Sequence, residues 1–229
     1  MLDRIQNHFP SGPELVTVGL GDAAVRVRVA RMSVREGERE ALAMRLVPGW
    51  PESGRVGHDD LGRPLAAVPG FFLSFSRLHR PETGSLTYGA ACGDGGGAVL
   101  GLGIDAARAA EFGVTYPRER VFMNAELTLL RSRFSVVRGG SEVLALAWAC
   151  KEAAVKALGV GFHHCEPRDV VGVDCHTQGG MFGVRMRAAC RNRHSDVDCV
   201  AWIEAGSWIV VGLARASGPK ELACPGPGS

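Results

Sequence analysis

Surplus charge, long apolar runs and ordered cysteine spacing are all scarce in this chain. Its 26 Lys and Arg stand against 24 Asp and Glu, a formal net charge of only +2, so it lacks the basic bias that a large nucleic-acid footprint needs. Any anion site must be local. The longest apolar stretches, "EVLALAWAC" and "SWIVVGLA", fall well short of the roughly 20 residues of a membrane span and are interrupted by charge or glycine. They predict a soluble protein that does not enter a membrane. Seven cysteines (92, 150, 165, 175, 190, 199 and 224) make an odd count with no regular framework, and "MLDRIQNHFPSGPELV" carries no secretory leader. Reduced thiols and a cytoplasmic location are the expectation.

What is present suffices for a sizeable core. With 229 residues, 46% of them hydrophobic, the chain has the material for one large domain or two small lobes. "HHCEPRD" followed by "DCH" brings His163, His164, Cys165, Cys175 and His176 close in sequence. The spacing is neither CxxC nor HxxxH, and a polar surface loop is a better reading than zinc.

Alternation around Gly21-Asp22 predicts a β-hairpin over 14–32, and "SVREGEREALAMRL" (33–46) a helix capped by Ser33. A Pro/Gly/Ser-rich loop (47–64) leads to two strands, "GFFLSFSRL" and "GSLTYGAAC". "CGDGGG" (92–97) reads as a linker between lobes. Beyond it come a strand in "AVLGLGIDA", a long helix over 142–159, strands in "RDVVGVD" and "MFGVRMRAA", and a closing hairpin "CVAWIE-AG-SWIVVGLAR". The fold class expected is α+β: two similar lobes, each a small antiparallel sheet packed with helices and related by a pseudo-twofold. The boundaries expected are 1–97 for the first lobe, 98–215 for the second, which carries the chemistry, and 216–229 for a disordered tail.

Two features point to chemistry. Gly101, Gly103 and Ala106 have the GxGxxA spacing of a dinucleotide-binding turn, with Glu126 placed for a ribose. Such a turn needs a helix at once and parallel βαβ units, which do not follow. The helix "WACKEAAVK" (148–156) sets Lys151, Glu152 and Lys156 among apolar residues. Either Glu152 and Lys156 form an ordinary solvated i, i+4 pair, or these groups meet an anionic ligand and a cation. Asp105, at the end of a buried strand, reads alone as a turn or cap residue; paired with Glu152 it offers two oxygen ligands to Mg²⁺.

"GLGID" followed by "WACKEAAVKALGVG" resembles the signature of the phosphopantetheinyl transferases, a G-x-D segment and then W-x-x-K-E-x-x-x-K. "LGRP" (61–64) stands where that family has G-K-P, "SFSR" (74–77) where it has S-x-S-H, and "VFMNAEL" (121–127) where it has F-F-x-x-x-E. The matches are collinear from about residue 60 to 165. Length and two-lobe organisation resemble the longer, pseudo-dimeric branch that activates nonribosomal peptide and polyketide synthases.

The resemblance implies transfer of 4'-phosphopantetheine from coenzyme A to a serine of an apo acyl or peptidyl carrier protein, releasing adenosine 3',5'-bisphosphate. It implies that Asp105 and Glu152 hold Mg²⁺, that Glu152 or its bound water takes the serine proton, and that Lys156 meets the reacting phosphate. Lys151 and Arg63 would hold CoA phosphates, with Ser76 and Arg77 near the 3'-phosphate and Arg39 a further CoA contact. Glu126 would support the site or merely cap a helix. The carrier would be acidic and meet "RSRFSVVRGG" (131–140), through Arg131, Arg133 and Arg138. Two lobes in one chain suit a monomer.

Two positions depart from the family pattern. Ala107 stands where many long-branch members have a second acid, leaving the metal more water ligands. Arg77 replaces histidine, which keeps a phosphate grip but removes a titratable group, so a shallower pH dependence of CoA binding is expected. These departures keep open a noncatalytic relative that binds CoA or a carrier protein. Nicotinamide or adenine-nucleotide binding through GxGxxA is the third reading.

Overall fold

A computed structural model describes residues 14–20, 23–34, 37–81, 84–134, 139–178, 181–190 and 193–215. Within them are two antiparallel sheets. The first has six strands: β1 (Glu14–Leu20), β2 (Ala23–Ser33), β3 (Gly57–His58), β4 (Pro64–Leu65), β5 (Phe71–Arg80) and β6 (Gly84–Gly93), in the order β1-β2-β6-β5-β4-β3. The second has five: β7 (Val99–Arg108), β8 (Val170–Gln178), β9 (Met181–Cys190), β10 (Arg193–Glu204) and β11 (Ser207–Arg215), in the order β7-β11-β10-β9-β8. Four helices accompany them, α1 (Glu38–Leu46), α2 (Arg118–Val121), α3 (Asn124–Arg133) and α4 (Gly140–Ala157). The fold is α+β with two lobes, as the alternating and helical stretches predict.

Strand periodicity explains the layering, because successive side chains leave opposite faces of a sheet. Val16, Val18, Val27 and Val29 from the first sheet meet Ile209, Val211 and Leu213 from the second in one core between the sheets. The outer face of the first sheet packs Leu73 and Phe75 on Leu42 and Leu46 of α1. Val210 and Trp208 of the second sheet pack on the other side, against Ala149, Ala153 and Ala157 of α4. The order of layers is therefore helix, sheet, sheet, helix. β11 is buried on both faces from Ser207 to Ala214, which is why "SWIVVGLA" reads as a continuous apolar run.

Polar groups also join the lobes. Glu204, at the end of β10, pairs with Arg31 of β2 and accepts the Tyr88 hydroxyl at 3.4 Å. Arg80 reaches Tyr88 at 3.2 Å and Ser207 at 3.4 Å. Tyr88 and Ser207 are almost wholly buried, and burial pushes the Tyr88 phenol above its ordinary range despite Arg80 and Arg31 nearby.

Two expectations, the Ser33 cap and the reduced thiols, need correction. Ser33 does not cap a helix: it is the last residue of β2, paired with Leu86, and α1 begins only after Gly37. The ladder with β6 claims the residues that composition had assigned to the helix. Gly101 and Gly103 form no dinucleotide-binding turn, in keeping with the missing helix and βαβ units: β7 runs straight through them to Arg108. The thiols are not all reduced, since Cys165 is bonded to Cys190, while Cys92, Cys150, Cys175 and Cys199 are free and buried. The Gly21-Asp22 turn, Arg138 and the tail 216–229 lie outside the described residues. No described helix is long and apolar enough to cross a membrane.

Candidate active site

The site begins with two missing side chains. On β7 the residues facing α4 are Gly101, Gly103, Asp105 and Ala107, and a Cβ at Gly101 or Gly103 would collide with the carbonyl oxygens of Ala157 and Ala153. The glycines let the helix lie directly on the strand, so Asp105, next in the same row, comes under the helix one turn back. That turn carries Glu152, and Lys156 follows at i+4 on the same face. The helix ends where Gly159 takes φ +67°. The N–H groups of Gly159 and Val160 donate to the carbonyls of Lys156 and Val155, a Schellman closure.

Asp105 is the hub. Its Oδ1 accepts Lys156 Nζ at 2.7 Å and Ser76 Oγ at 2.8 Å, so Lys156 pairs with Asp105 rather than forming the surface pair with Glu152. β7 is an edge strand whose outward backbone groups need partners. Ser74 Oγ accepts the Ile104 N–H at 3.0 Å, and Lys156 donates to the Ile104 carbonyl at 3.2 Å. Two serines of one lobe thereby fix the acid-bearing strand of the other. Glu152 enters through charge: burial, and then the Asp105 carboxylate, push its pKa above the ordinary glutamate range, with Lys156 opposing. Its negative charge in turn adds to burial in raising Tyr116. Asp105 likewise adds to burial in raising Glu111, against the opposing Arg108.

Two carboxylates that repel each other beside a lysine fit a hard divalent cation, which takes one or two protein carboxylates and completes its shell with water or phosphate oxygens. Ala107 is wholly buried against α4, so no third acid comes from that position. Among the described residues no cluster of three or more His, Cys, Asp or Glu forms a metal cage.

Beside this hub a cleft of about 320 Å³ opens between the lobes. Arg39, Arg63 and Lys156 line it, with Ser74 and Phe75 on its wall. Arg39 lies 5.9 Å above the Phe75 ring. Arg63 is held by Asp59, which accepts its Nε at 2.6 Å and its backbone N–H at 2.8 Å. The predicted residues Arg39, Arg63, Ser76, Asp105, Glu152 and Lys156 are thus gathered around one seam.

Lys151 and Arg77 are not. Lys151, fully buried on another face of α4, pairs with Glu126 at 2.8 Å and donates to the carbonyls of Pro167 at 2.9 Å and of Val170. Burial lowers its pKa, with Glu126 working against that shift. Glu126 also accepts the Met123 N–H at 2.8 Å, capping α3. Arg77 follows Ser76 on β5 and so leaves by the opposite face, where it meets Glu38 of α1 at 2.5 Å. Arg131 lines a separate groove with Val114 and Tyr116. Sequence reasoning passed over Ser74, although "SFSR" contains it, and Tyr116, for which the sequence offers no signal.

Residues 101–200 match the 4'-phosphopantetheinyl transferase superfamily. The matched segment contains Asp105, Glu152 and Lys156, the three groups that meet at the seam. No curated protein matches the chain.

Proposed function

We propose that this protein transfers the 4'-phosphopantetheine group of coenzyme A to a serine hydroxyl of an apo acyl or peptidyl carrier protein. The observation that carries the reading is the meeting of Asp105, Glu152 and Lys156 beside a cleft lined by Arg39 and Arg63, inside and next to the matched segment. Carriers of fatty-acid, polyketide and nonribosomal peptide synthesis are the partners proposed, with the protein acting as a cytoplasmic monomer of the long, pseudo-dimeric type.

In this reading the serine Oγ forms a bond to the phosphorus bearing pantetheine. The bond from that phosphorus to the bridging oxygen breaks, and adenosine 3',5'-bisphosphate leaves. The serine proton passes to Glu152 or to its bound water, either of which is a positioned base beside the incoming hydroxyl. Lys156 spends two N–H donors on Asp105 and Ile104, and its third is directed to the reacting phosphate. Arg63 and Arg39 hold the phosphates of coenzyme A in the cleft. Ser76 keeps Asp105 oriented. Mg²⁺ held by Asp105 and Glu152 would supply charge neutralisation at the pyrophosphate.

The deciding experiment is mass spectrometry of an apo carrier protein incubated with coenzyme A, Mg²⁺ and this protein. A phosphopantetheine increment is expected, lost or slowed by about two to four orders of magnitude in Glu152→Gln, the range for removing a positioned base. Binding of coenzyme A with no increment on any of several acyl and peptidyl carriers would favour a noncatalytic relative and point to Ala107.

A further inference from the structure

Residues His163 and Cys165, which in sequence suggest a metal cluster, have separate fates. Cys165 is tied to Cys190, whereas His163 faces the cleft beside Lys156. Its imidazole lies against the backbone of Gly161, in the space that a Cβ there would fill, and its ring centroid is 4.2 Å from that of His164. The same arrangement occurs two residues earlier, where the Arg63 side chain occupies the space beside Gly159. Two glycines just past the end of α4 therefore seat two nitrogen-bearing side chains on one wall.

The charged side chains that line this cleft with His163 are of one sign. Arg63 comes from the loop before β4, Arg39 from α1 and Lys156 from α4, and His58 of β3 also lines the space. No described carboxylate lines it; Asp59 and Asp105 take part through their bonds to Arg63 and Lys156.

We propose that His163 is a further phosphate contact for coenzyme A. The inference rests on the coenzyme A reading given above. An imidazole ring N–H donates to a phosphate oxygen, and a hydrogen bond to an ionised acceptor is stronger than one between neutral groups.

The test is calorimetric titration of the full chain with coenzyme A and with its dephospho form at one fixed pH. His163→Gln is expected to bind coenzyme A roughly five- to tenfold more weakly than the wild type, the scale of one exposed charge-assisted contact. Gly161→Ala should weaken binding in the same way by displacing the ring, and His163→Arg should bind at least as tightly as the wild type. Equal binding by wild type and His163→Gln, or a loss in His58→Gln instead, overturns the assignment while leaving coenzyme A binding intact. Failure of the wild type to bind either coenzyme A or its dephospho form would overturn the coenzyme A reading itself.

Discussion

Lys151 and Lys156 lie five positions apart on one helix and have opposite environments. Lys156 is partly exposed and grips Asp105, whereas Lys151 is sealed in with Glu126. A buried pair loses much more when one partner is removed than when both are, because the survivor keeps an uncompensated charge. Lys151→Met should therefore cost about 3–5 kcal/mol in denaturant unfolding, and Lys151→Met with Glu126→Gln should recover most of it. A pair that served only the ligand would leave unfolding unchanged in both. Glu152 shows the converse. Its folded pKa lies above the ordinary value of 4.5, so the folded chain holds that proton more tightly than the unfolded chain does, and stability falls as pH rises from that value through the folded pKa. Glu152→Gln should raise Tm at pH 7, and the gain should shrink as pH falls toward 4. An unchanged Tm at pH 7 would contradict the penalty that burial, and then the Asp105 carboxylate, place on the Glu152 charge. The likeness of "GLGID" and "WACKEAAVK" to a family pattern singled out Asp105, Glu152 and Lys156 in the sequence, whereas spacing alone places Lys151 and Glu152 as neighbours and does not say that one faces the core and the other the seam.

For the elements, the deciding contact is α4 on β7. Gly101 and Gly103 look in sequence like a phosphate-binding turn, and they serve instead as the flat bed on which the helix lies. Gly103→Ala would drive a methyl into the Ala153 carbonyl, so either α4 shifts or the fold loosens. A loss of about 3 kcal/mol or more is expected, the upper range for an overpacked contact that side-chain motion cannot relieve, together with loss of transfer as Glu152 and Lys156 leave Asp105. Gly113→Ala, where a Cβ meets nothing within 4 Å, is the control and should change neither thermal stability nor rate. Long periodic elements were readable: the helix predicted over 142–159 runs from Gly140 to Ala157, and the closing hairpin pairs Glu204 with Ser207 around Ala205-Gly206. Short elements were not. The helices α2 and α3 escaped because four to ten residues with a weak apolar face carry little periodic signal, and the helix start after Gly37 was hidden by a strand whose partner, β6, lies some fifty residues away.

At the scale of the molecule, composition predicts two sheets but says nothing of how they meet. Their meeting sets the chemistry, because Ser74 and Ser76 come from one sheet and Asp105, Glu152 and Lys156 from the other. The backbone passes between the sheets once, through residues 94–98, where Gly95, Gly96 and Gly97 all take positive φ. That short turn acts as a tether: it keeps each half of the site at an effective concentration in the millimolar range relative to the other. Cutting it, with residues 1–95 and 96–229 produced as separate chains, should give halves that reassemble through the shared core. The intact protein would lose activity only in proportion as it is diluted. The divided one would lose it with the square of the dilution once below the dissociation constant of the halves, and adding either half in excess should restore it.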